Sequence, residues 1–309
     1  MKKIKVMVLA GILLLAYSDI KAYSGNVNWN GWSFNWEVSN AAVSEGMIIR
    51  NLYFNGQEIL YKGSIPVIRV RYNCSGCGPY ADRIGIDKLA PIDWGYCTGQ
   101  KTCSRIYTDS RGVQWLEIGM YAIYGHYKLY YVWYFSSTGF FRPCVFSKGL
   151  QHNDTHDHHV YFRLDFDIKG AANDQVFVYD NNTGNSGWGN GWRRYNNEIE
   201  DKKNPSTNRF WYVSDQLPQN GAYAVQVLPS LHDGVADWWC TKDIGLRHYN
   251  YAEDNGWPFG ATTHLQHNNN ETAANTDIVL WYVGHLHHES SDGADEWHNT
   301  GPYFYLDKR

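Results

Sequence analysis

Val160, Phe162, Leu164, Phe166 and Ile168 alternate with Tyr161, Arg163, Asp165 and Asp167. A period of two sends the first set to one face of an extended chain and the second to the other. The segment therefore predicts a strand with its apolar side inward and its polar side outward. Trp32, Phe34, Trp36 and Val38 repeat the pattern against Ser33, Asn35, Glu37 and Ser39. Residues 129–135 and 278–283 are almost wholly apolar, which predicts strands covered on both faces. Aromatic residues reach 16% while charged residues stop at 19%, a balance that disfavours disorder and coiled coil. The Gly/Asn-rich stretch 181–192 and the stretch 201–208 predict loops within a domain, not linkers. With no internal repeat and no long amphipathic helix, the prediction is a mainly β chain, one large antiparallel β-sandwich over residues 23–309.

Residues 1–22 read as a secretory leader. Lys2, Lys3 and Lys5 precede an apolar run over 6–16, and Ser18 and Ala22 offer small residues for cleavage. The run is too short to span a bilayer, and no later segment predicts a membrane span. Cleavage after Ala22 removes four Lys and one Asp, taking the net charge from −4 to −7. Without an excess of positive charge, nucleic acid is not an expected partner. The expected location is secreted or periplasmic. Six cysteines, Cys74, Cys77, Cys97, Cys103, Cys144 and Cys240, form an even set suited to three disulfides in an oxidising compartment. There Cys74-Ser-Gly-Cys77 reads as a disulfide pair ahead of a zinc or redox motif.

Seven of the 13 histidines fall in two clusters: His152, His156, His158 and His159, then His285, His287 and His288. Neutral imidazole is the commonest metal ligand, and His-x-His on a strand turns both rings to one face. His156 and His158 share the parity of Val160 and Phe162 and so face the core, while His159 faces away. In the second cluster simple alternation pairs His285 with His287, and a bulge after Gly284 would bring His288 round instead.

At these histidines a family resemblance enters. His156-Asp-His158-His-Val-Tyr-Phe-Arg163-Leu-Asp165 resembles the His-x-His…Arg-Leu-Asp strand of the copper amine oxidases. Asn275-Thr-Asp-Ile-Val-Leu-Trp-Tyr282 is similar to a strand of that family almost letter for letter, and ungapped counting sets His288 at its third copper ligand. Trp29-Asn-Gly-Trp32-Ser-Phe34 resembles the start of the family's catalytic domain. Leu60-Tyr61-Lys-Gly-Ser64 through Tyr72 is similar to a segment carrying an active-site tyrosine. The likeness runs from about Val27 to Pro302, and is weak over 74–115 and 170–240.

The resemblance implies copper held by His156, His158 and His288, with His285 and His287 as bystanders. It implies a topaquinone cofactor made from Tyr127, in Gly125-His126-Tyr127-Lys128, where the family has Gly-Asn-Tyr-Asp/Glu. It implies Tyr72 as a partner of the quinone oxygen. For the general base it points to Asp82, if two residues are deleted after it, with Asp87 behind it. The implied reaction condenses a small primary amine with the quinone, removes its α-proton and releases an aldehyde; dioxygen then restores the cofactor, giving peroxide and ammonia. The family's habit implies a homodimer. The alternative expectation is a decayed relative that keeps the sandwich and binds metal, carbohydrate or protein through exposed aromatics.

Overall fold

A computed structural model describes residues 23–308 except 94, 216–222, 232 and 255–267. The expected leader, residues 1–22, lies outside the described residues. Two antiparallel sheets account for most of the chain. In the first, Gln57–Val70, His156–Phe166 and Ile278–His288 lie side by side, flanked by Met47–Phe54, Trp32–Val38 and Ser24–Trp29 on one edge and by Ile244–His248 on the other. The second carries Thr102–Thr108, Gln114–Tyr124, Tyr127–Ser136 and Phe140–Lys148 as consecutive hairpins. Tyr303–Lys308 joins these to Tyr223–Leu228, Phe210–Asp215 and Asp174–Tyr179. Among the described residues the one α-helix is Tyr251–Asp254, and no helix is long and apolar enough to cross a membrane.

The main core fills the space between the sheets. Val160, Phe162, Leu164 and Phe166 from the first meet Leu129, Trp133, Phe135 and Phe141 from the second, all essentially buried. Burying one such side chain stabilises the fold by roughly 1.5–3 kcal/mol. The apolar strands at 129–135 and 278–283 arise because each sheet is also covered behind. Tyr161, Val279, Trp281 and Val283 pack under Trp239 and Cys240, and Tyr130 and Val132 pack under Ile92 and Cys97.

This second covering corrects one expectation. Tyr161, Arg163, Asp165 and Asp167 do point away from the main core, but they are not solvated: all four are buried. Arg163 and Asp165 neutralise each other at 3.0 Å. The disulfide expectation also needs correction. Cys74–Cys77 and Cys97–Cys103 are bonded, whereas Cys144 and Cys240 are free and buried. These two sit in separate clusters behind opposite sheets, so the sandwich lies between them.

Candidate metal and cofactor site

The register of two central strands assembles the histidines. His156 faces His288 directly, His158 faces Leu286 and His159 faces His285, with no shift along the pair. Directly opposed residues share a face, so His156, His158 and His288 lie together on the side of Val160 and Phe162. Their ring centroids are 5.0 Å (156 to 158), 5.3 Å (156 to 288) and 5.2 Å (158 to 288) apart. His159 and His285 meet on the reverse face, and His287 is exposed, bonded to Asp157 and Glu289. Alternation holds through Gly284 without a bulge: His285 and His287 share the reverse face and His288 takes the core face, so the three rings that meet are not the pair that alternation alone would choose as ligands. His288 shares the parity of Leu280 and Tyr282 in the main core, but Val279, Trp281 and Val283 are equally apolar, so parity alone does not mark the face.

The three rings are buried and oriented. The Asp154 carbonyl holds the Nδ1 hydrogen of His156 at 2.7 Å, leaving its Nε2 as the lone-pair nitrogen. His156 Nε2, His158 Nε2 and both nitrogens of His288 are buried without a hydrogen-bond partner. Desolvation holds all three imidazoles below their ordinary value, His288 at about 3, so they are neutral. Each orphaned nitrogen costs about 1–3 kcal/mol unless something occupies it. Neutral imidazoles with unsatisfied nitrogens fit a transition-metal ion such as copper. His298, for which the sequence carries no signal, lies with its ring 4.3 Å from that of His288, tilted by 36°.

Tyr127 arrives from the second sheet. It is the first strand residue after the Gly125-His126 turn, where Gly125 takes a left-handed φ of 57°. Its ring lies 4.8 Å from His158 and 6.4 Å from His288. Its hydroxyl is 2.7 Å from that of Tyr72 and accepts the Gln151 amide hydrogen at 3.3 Å. Gly149 allows that segment to close over Tyr127: a Cβ there would fall 2.2 Å from the His126 carbonyl. The two neighbours that depart from the family pattern lie away from the ring. His126 is exposed at the turn, and Lys128 pairs with Asp93.

Tyr72 packs edge-on to His152 and His156, at 4.5 and 4.6 Å. Burial raises the phenols of both Tyr72 and Tyr127, and the Asp82 charge raises them further. Asp82 ends the short strand Tyr80–Asp82, paired to Ile68, and burial lifts its carboxyl to about 6. A carboxylate tuned to that range suits proton abstraction near neutrality. Asp87 is exposed and pairs with Lys88 at 3.0 Å. A cavity of about 420 Å³ opens elsewhere, lined by Lys62, Arg83, Arg163 and Tyr249 among others, without Tyr72, Tyr127 or the three histidines.

By sequence, no protein-family model and no characterised protein matches the chain. Solved structures do match in shape. A copper-containing benzylamine oxidase from Hansenula polymorpha superposes with a TM-score of 0.69 at 14% identity, over 98% of this chain and 63% of that one. An amine oxidase from Aspergillus nidulans gives 0.69 at 15%, over 99% and 56%. A lysyl oxidase from Pichia pastoris gives 0.68 at 13%, over 98% and 56%. The chain thus spans less than two thirds of each of these structures. At such identities the likeness establishes the fold: a mainly antiparallel β-sandwich of the amine-oxidase type.

Proposed function

We propose that this protein is an exported copper- and topaquinone-dependent oxidase of small primary amines, consuming dioxygen and releasing an aldehyde, peroxide and ammonia. The observation that carries this reading is the placement of buried Tyr127 against three neutral histidines with orphaned nitrogens. Under it, His156, His158 and His288 hold copper, and Tyr127 is the precursor of the cofactor. When formed, topaquinone supplies a carbonyl electrophile and an electron sink. Tyr72 holds the oxygen of residue 127 through its hydroxyl, and Gln151 donates a second hydrogen bond there. Asp82 takes the substrate α-proton, its carboxyl deprotonated above about pH 6. Two disulfides accord with an oxidising, extracytoplasmic location. The dimer remains part of the proposal.

One observation favours a second reading, a metal-binding relative without amine turnover. Tyr127 is only 4% exposed, and the 420 Å³ cavity does not reach it. A quinone redox-cycling stain after aerobic incubation with copper separates the two readings. Oxidase function requires a positive stain that disappears in Tyr127→Phe, together with amine-dependent peroxide. Bound copper without a stain transfers the assignment to the binding relative.

A further inference from the structure

Behind the central strands, on the face opposite the three histidines, lies a second cluster that the amine-oxidase reading does not use. His159 and His285 are direct cross-strand partners, and their Nδ1 atoms face each other at 2.8 Å. Cys240, on the segment covering this face, brings its thiol to the same point: one donor atom from each of the three residues lies within 4.8 Å of the others. All three side chains are buried. Each imidazole has a carboxylate at its far nitrogen. His285 Nε2 is 2.6 Å from Asp243, and His159 Nε2 is 3.5 Å from Asp237.

We propose that His159, His285 and Cys240 form a second metal site, binding a borderline-soft divalent cation, Zn²⁺ above all, through two Nδ1 atoms and a thiolate.

Tautomer logic supports the assignment. Only one proton fits between two facing Nδ1 atoms, so without a cation the pair either leaves one Nε2 bare toward a carboxylate or holds an extra proton as an imidazolium, whose place a cation can take. With a cation both Nδ1 atoms become ligands, and both Nε2–H groups donate to Asp243 and Asp237. This is the carboxylate–histidine–metal arrangement that fixes ring orientation in zinc sites. Two nitrogens on one tetrahedral Zn²⁺ stand about 3.3 Å apart, so the rings need part by only some tenths of an ångström.

Charge points the same way. Lys203 bonds Asp233 at 2.9 Å and Asp243 at 3.5 Å, Asp237 stands 3.5 Å from His159, and Arg69 lies over Trp239. Three carboxylates against Lys203 and Arg69 leave one net negative charge before the histidines are counted, and a Cys240 thiolate makes two, which a divalent cation held by two neutral imidazole ligands cancels. Without a cation, burial pushes the thiol up to about 12, so the cluster is a poor nucleophile. Cation binding would expel that thiol proton and tie the segment carrying Cys240 to the strands that present His158 and His288.

The test uses the full-length protein, stripped of metal and titrated anaerobically with Co²⁺. A near-ultraviolet thiolate-to-cobalt charge-transfer band should saturate by two equivalents, the three-histidine group taking up the other, and vanish on adding Zn²⁺. It should persist in His156→Ala and Cys144→Ser, and be lost in Cys240→Ser with near-ultraviolet circular dichroism confirming the fold. Absence of the band from the folded wild type, or its survival in Cys240→Ser, overturns the site. Because the three-histidine group has no sulfur ligand, failure of the copper assignment leaves this readout unchanged.

Discussion

Replacing Asp82 by Asn should raise stability while abolishing amine oxidation. Burial lifts the carboxyl from an ordinary 3.8 to about 6, a preference for the neutral form worth about 3 kcal/mol. The folded-state value lies above the unfolded one, so the charged carboxylate opposes folding. Below pH 3.8 this penalty is absent. It grows as pH rises and is complete above about pH 6. The neutral carboxamide escapes it, so at pH 7.5 Asp82→Asn should be the more stable protein by up to about 3 kcal/mol, which is up to roughly 5 °C in Tm. At pH 4 the two proteins should unfold almost together. Denaturant unfolding at both pH values measures the difference, and the acid limb of kcat/KM, expected near pH 6 in the wild type, measures the base. Equal stabilities at pH 7.5 would refute the buried-carboxylate reasoning. Retained amine turnover in the variant would remove Asp82 from the mechanism while leaving the stability argument intact.

His158→Ala removes the ligand candidate whose ring packs against Tyr127; copper content should fall by about one equivalent and the quinone stain should be lost, both read on the same preparation. Gly149→Ala should cost about 1–3 kcal/mol, because φ is +124° and the new Cβ meets the His126 carbonyl; thermal unfolding measures it, and wild-type stability would disprove the close approach. Trp133→Ala, emptying a wholly buried site between the sheets, should cost about 3–5 kcal/mol by denaturant unfolding.

Strand identity was legible in the sequence because side-chain alternation is a property of the extended backbone itself. The runs at 160–168 and 278–283 announce strands wherever they fold, and parity alone puts His156 and His158 on one side and His159 on the other. Parity cannot say which face of a second strand will meet them. That needed the register of His156 against His288, set by the whole length of the two strands. Nor does alternation report what covers the far face of a sheet. Arg163 and Asp165 read as solvated until distant segments close over them, and the same closure brings Cys240 to His159 and His285. The Tyr72–Tyr127 contact joins a residue just past the end of Gln57–Val70 in one sheet to a strand of the other, and the half-burial of Asp82 comes from packing around a short strand where the family likeness was weak. Local periodicity chooses the face a residue takes, and only packing between sheets and loops decides which residues meet there and which lose water.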